Sequence, residues 1–140
     1  MKKPTKELLN ELRQASGITD YLDNNKDELY SAELKTHLEM LLENKGVSKS
    51  EAIAKSGLHQ IYAYQIFSGK KSPSRDKLIG LCFGMSLTLE ESNRLLKIAG
   101  LSELYPRIRR DSIIIFAINK HLSITECNEL LYDQEEYTLD

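Results

Sequence analysis

Residues 48–71 read SKSEAIAKSGLHQIYAYQIFSGKK, two short segments with apolar faces on either side of one glycine. Ser48 followed three residues later by Glu51 is the pattern of a capping box, and it predicts a helix from there to about Ser56. Ala52 and Ile53 are its inward side chains. Gly57 provides the residue that tolerates positive φ at a tight corner between two helices. Leu58 is placed to plug that corner. A second helix follows over about His59 to Phe67, with Ala63 and Ile66 packed back on the first. His59, Gln60, Tyr64 and Gln65 are left on the outward side. Ser68 to Ser74, SGKKSPS, is a loop by its turn chemistry.

The flanking sequence keeps helical spacing in both directions. Leu34, Leu38, Leu41 and Leu42 form one stripe over Ser31–Asn44, with Ser31 as cap and Gly46 as a left-handed stop. His37 lies beside that stripe as a structural histidine. Further upstream, Leu8, Leu9, Leu12 and Ala15 predict a helix over Thr5–Ala15, capped by Thr5 and ended by Gly17. Residues 18–25 read as a turn from which Tyr21 and Leu22 can dock on the core. Downstream, Ser74 opens a helix through Phe83 that Gly84 closes. Thr88 and Glu91 form a second capping box for a helix to Ala99, with Leu89, Ser92, Leu95, Leu96 and Ala99 inward and Gly100 as stop. Pro106 is expected in the first turn of a helix reaching about Lys120. Its run Ile113–Ile118 has no periodicity and needs burial on every side, or cover from another chain. Ser123 and Glu126 open a last helix to Asp133, and the final seven residues are expected to fray.

The chain has 140 residues, 41% hydrophobic and 29% charged, with ten glycines and prolines together, which fits helices joined by short loops. The start, MKKPTKE, lacks the apolar core of a secretory signal, and no apolar run is long enough to span a bilayer. Cys82 and Cys127 have no paired-ligand spacing and read as reduced, buried thiols, which together point to the cytoplasm. No metal or cofactor is expected. The net charge of −2 hides a polarised chain. Seven cations between Lys45 and Lys77 (Lys45, Lys49, Lys55, Lys70, Lys71, Arg75, Lys77) face only Glu51 and Asp76, a net +5. From His121 onward there are six acids and no lysine or arginine. Phosphate contacts need local rather than overall positive charge, so this segment qualifies.

With its leading helix, its Gly57-hinged helix pair, its Ser68-Gly69-Lys70-Lys71 loop and its two closing helices, the stretch from Ser31 to Ala99 resembles the Cro/lambda-repressor-like, xenobiotic-response-element type of bacterial regulator. The resemblance implies an all-α fold: a lambda-repressor-like five-helix DNA-binding core (31–100) with an N-terminal helical extension (1–30) and two C-terminal helices (101–140). It also implies that the second helix of the pair enters the major groove. By that likeness Lys49 meets phosphate, Gln60, Ile61, Tyr64 and Gln65 face bases, and Lys70, Lys71 and Ser72 touch the backbone, with His59 beside them. Two residues depart from the family pattern. Ile53 stands where such proteins usually place alanine, and Ala63 where they usually place Val or Ile, so the pair conserves volume. The reader helix also lacks arginine and lysine, the residues that most often read guanine.

Three functions are compatible with these residues. The first is a sequence-specific regulator of double-stranded DNA, acting as a homodimer through Ile113–Ile118 with the last helix, or through the N-terminal helix. The second is a protein-interaction module that keeps the helix-turn-helix shape and meets a protein partner through Ile61, Tyr62, Tyr64 and Phe67 or the C-terminal helices. An enzyme is disfavoured: His37, His59 and His121 fall in different elements, and no phosphate loop or nucleophile elbow is present. Arg107, Arg109 and Arg110 form a second basic cluster that reads equally as a phosphate contact, an anchor for an acidic partner, or a solvated helix start.

Overall fold

A computed structural model describes residues 2–140. Within them the secondary structure is helical throughout: α1 (Thr5–Gln14), α2 (Ile18–Asn24), a 3-10 turn (Lys26–Glu28), α3 (Tyr30–Lys45), α4 (Lys49–Ala54), α5 (Gln60–Phe67), α6 (Arg75–Gly84), α7 (Leu89–Ile98), α8 (Arg109–Asn119) and α9 (Ile124–Asp133). No described helix is long and apolar enough to cross a membrane. The expected all-α class is therefore present.

Apolar side chains at helical spacing build one continuous core that runs from Leu34 on α3 to Leu139 in the tail. α3 packs on α5 and α7, α4 on α5 and α6, and α8 on α9. Leu34, Leu38 and Leu41 face inward as their spacing requires, while Leu42 packs at the edge. The capping boxes at Thr88/Glu91 and Ser123/Glu126 both form. At Ser48 only half of the box forms: its Oγ accepts from the Glu51 amide, but the Glu51 carboxylate turns to Lys55 instead. Gly46 and Gly100 stand in left-handed geometry where those helices stop. Both cysteines are free and buried, and burial pushes the Cys82 thiol up to about 12 and Cys127 to about 11.

Several expectations are corrected. Residues 18–24 form a helix rather than a turn, fixed by burial of Tyr21 and by the Asn25 side-chain amide donating to the Tyr21 carbonyl; Leu22 stays 41% exposed. Thr5 is not a cap: Pro4 holds that position, and its carbonyl accepts from the Glu7 and Leu8 amides. Ser31 lies inside α3, because the 3-10 turn feeds the helix from an N-cap at Leu29, two residues early. Gly84 does not close α6; it is the last helical residue, and the left-handed residue beyond it is Ser86. A Cβ on Gly84 would stand 2.1 Å from the Ala52 carbonyl oxygen, so this glycine lets α6 approach α4. Pro106 lies in a turn before α8, not in its first turn: the Ser112 hydroxyl donates to the Pro106 carbonyl, and Ile108 is the N-cap. The isoleucine run is amphipathic after all, with Ile114, Ala117 and Ile118 buried and Phe116 51% exposed.

The tail is not frayed. Leu139 is buried, and its amide donates to Asn128 Oδ1. The arginines that open α8 explain why. Arg110 donates to both Asp76 oxygens and to the Tyr137 and Thr138 carbonyls, while Arg109 pairs with Glu136. Arg109 and Arg110 thus serve internal contacts.

Candidate nucleic-acid interface

The α4–α5 corner has the geometry its residues predict. Ala52, Ile53, Ala63, Ile66 and Phe67 are buried, which presses the inner faces of both helices into the core. Gly57 has φ +75°, a value that strains any residue bearing a Cβ. Ser56, itself buried, donates its hydroxyl to the Ile53 carbonyl and accepts from the Leu58 amide. Leu58 then packs at the corner beside Gly80 of α6. The helix axis of α5 is therefore fixed from one side only, and its other side is open.

On that open side lie Gln60, Ile61 and Tyr64, with Ile61 65% and Tyr64 39% exposed, and Gln65 half-buried at the edge. His59 is the exposed N-cap of α5 and makes no side-chain capping bond. At the far end of α5 the loop folds back. The Gln65 carbonyl accepts from the amides of Lys70 and Lys71 at 2.9 and 3.1 Å, which ties these lysines to the end of α5. Lys70, Lys71 and Ser72 are exposed, and Pro73 behind them is buried. Lys49, half-buried at the start of α4, holds its ammonium 5.7 Å from the Phe67 ring centre, a cation–π contact that seats it near the same end.

The structure adds one cation that sequence spacing did not reveal. Lys35 of α3 passes beside Gly69, so close that a Cβ there would meet its Cβ and Cδ at 3.7 and 3.6 Å. Lys35 is exposed and joins Lys70 and Lys71 at this end of α5. Its signal was the outward side of the α3 heptad, which says nothing of the loop it adjoins. Three other cations of the basic segment are spent on acids of the chain. Lys45 pairs with Glu91 at 2.6 Å, Lys55 with Glu51 at 3.0 Å and Arg75 with Asp111 at 2.7 Å. The usable positive charge is thus narrower than the +5 of the linear count: it gathers around the loop after α5.

Among the described residues no group of three or more His, Cys, Asp or Glu side chains is placed to hold a metal ion. His37 is half-buried with its Nε2 lacking a partner, and burial, then the nearby Arg94, hold its pKa below the ordinary histidine value. It stands on α3, apart from the α5 face. No family model matches this chain, and neither the curated proteins nor the solved structures provide a match.

Proposed function

We propose that the chain is a DNA-binding regulator of the Cro/lambda-repressor type, working in the bacterial cytoplasm by binding and not by catalysis. The observation that carries this reading is α5: a helix buried on one face, open on the other, with an uncharged polar row and a group of lysines at one end. A rod of that kind fits the major groove, where Gln60, Ile61, Tyr64 and Gln65 meet base edges. Lys70, Lys71, Ser72 and Lys35 then grip phosphate, with Lys49 and His59 at the flanks of the helix pair.

Under this reading the protein acts as a homodimer, since one reader helix spans only a few base pairs. The second copy covers the N-terminal hairpin. α1 buries no residue, and Leu9, Leu12, Ile18 and Leu22 are all more than 40% exposed. The inward positions of α1 are Leu8 and Glu11, both only half-buried, with Glu11 accepting from Lys3 at 2.7 Å and Lys3 also donating to Asn25.

The test is fluorescence anisotropy of labelled duplexes from upstream of the chain's own gene, at two salt concentrations. Affinity should fall steeply with salt, and Lys70→Glu with Lys71→Glu should weaken binding at least about tenfold and flatten the log–log slope by about 2 per half-site, about 4 for the dimer. A salt-independent or absent response overturns the proposal. The protein-interaction reading draws on the uncharged α5 face with its exposed Ile61 and Tyr64. It would be favoured if the double lysine variant kept its DNA behaviour but lost a co-purifying protein.

A further inference from the structure

Resting on that DNA-binding reading, we infer that α5 reads an A·T-rich half-site in which Ile61 is seated against the 5-methyl group of a thymine. The sequence of α5 is QIYAYQIF, and none of its eight residues is charged. Guanine offers two major-groove acceptors, O6 and N7, which are read best by the forked or multiple donors of Arg and Lys. Cytosine offers the N4 amino donor, read by Asp or Glu. α5 carries neither kind of side chain. What it does carry matches the other base pair. A glutamine amide both donates and accepts, and so pairs with adenine N7 and N6 together. Gln60 lies exposed in the first turn and Gln65 at the edge of the same open side.

Ile61 decides the point. It is a branched aliphatic side chain, 65% exposed, in the first turn of the helix, the part that reaches base edges in this docking mode. In the free protein most of it faces solvent. Of the groups displayed in the major groove, the thymine methyl is the apolar one, and contact between the two removes apolar surface from water on both sides. His59 lies outside the helical row, at the N-cap, with its backbone extended.

The experiment selects duplexes from a random pool with the full chain at low salt, then replaces each thymine of the best duplex by deoxyuridine, which deletes only the methyl. Selected half-sites should be A·T-rich. One uracil substitution should weaken the wild-type protein about fourfold, the transfer value of one methyl group, and leave Ile61→Ala unaffected. Ile61 is exposed, so Ile61→Ala retains the fold, which its circular dichroism melt verifies. Salt-sensitive binding to G·C-rich half-sites, or to thymine sites indifferent to uracil, overturns the inference and leaves the DNA-binding reading standing. No enrichment of any duplex overturns both.

Discussion

Asp111 is a carboxylate only 1% exposed, yet every demand it makes is met: Arg75 donates to both of its oxygens at 3.0 and 2.7 Å, and the Tyr105 amide adds a third bond at 3.0 Å. Removing one partner of such a pair strands the other charge. Asp111→Ala should therefore lower the unfolding free energy by about 3 kcal/mol, whereas Arg109→Ala, which breaks an exposed pair with Glu136, should change it by less than ~1 kcal/mol. Urea denaturation of the two variants checks the contrast. His37 gives a pH prediction. Burial, then Arg94, disfavour its protonated form in the folded state, so the unfolded chain takes up the proton more readily. This neutral histidine is without penalty above its ordinary value of 6.5, and stability is lost as the pH falls below that point. Thermal melts at pH 7.5 and 5.5 should show a larger drop for the wild type than for His37→Gln; equal drops would refute the assignment. The place of His37 beside the α3 stripe was legible in the sequence, but the Asp111 pairing lay beyond it. Asp76 and Asp111 look like ordinary first-turn acids, and nothing in the linear order says that arginines from distant helices reach them.

Helix starts marked by a Ser or Thr with a Glu three residues on were legible in the sequence, because such a pair is a local device, whereas the lone caps expected at Thr5 and Ser31 were not. Thr88/Glu91 and Ser123/Glu126 needed only each other and stand where the pattern places them. Elements whose limits depend on distant neighbours were not. α2 is short and polar, and it is held by burying Tyr21, a contact with no local signature. Gly84 was legible as a glycine of consequence but with the wrong reason: its value is the close passage of α6 over the Ala52 carbonyl. Gly84→Ala should force these helices apart and cost about 2–3 kcal/mol, despite alanine's better helix propensity. A midpoint in urea unchanged from wild type would show that α4 yields freely.

At the scale of the molecule, the charge count along the chain anticipated a basic surface, but folding redistributes it. Lys45, Lys55 and Arg75 are taken up by internal acids, while Lys35 arrives from another helix. The α5 face itself was legible because amphipathicity and the Gly57 corner are both written in neighbouring residues. Sedimentation measures the oligomer: the wild type should show concentration-dependent dimers, and Leu9→Ser with Leu12→Ser should yield monomers with an unchanged melt, since neither leucine is buried. Dimers indifferent to that change would locate the contact elsewhere. The two Arg-Asp dipeptides, Arg75-Asp76 and Arg110-Asp111, pair crosswise, each arginine with the other's aspartate. Such a lock is its own mirror. Reversing the order of one dipeptide sets arginine against arginine and aspartate against aspartate, whereas reversing both restores attraction. A charge reversal at any one of the four positions is therefore felt in the other helix, 36 residues away for Arg75 with Asp111 and 34 for Asp76 with Arg110.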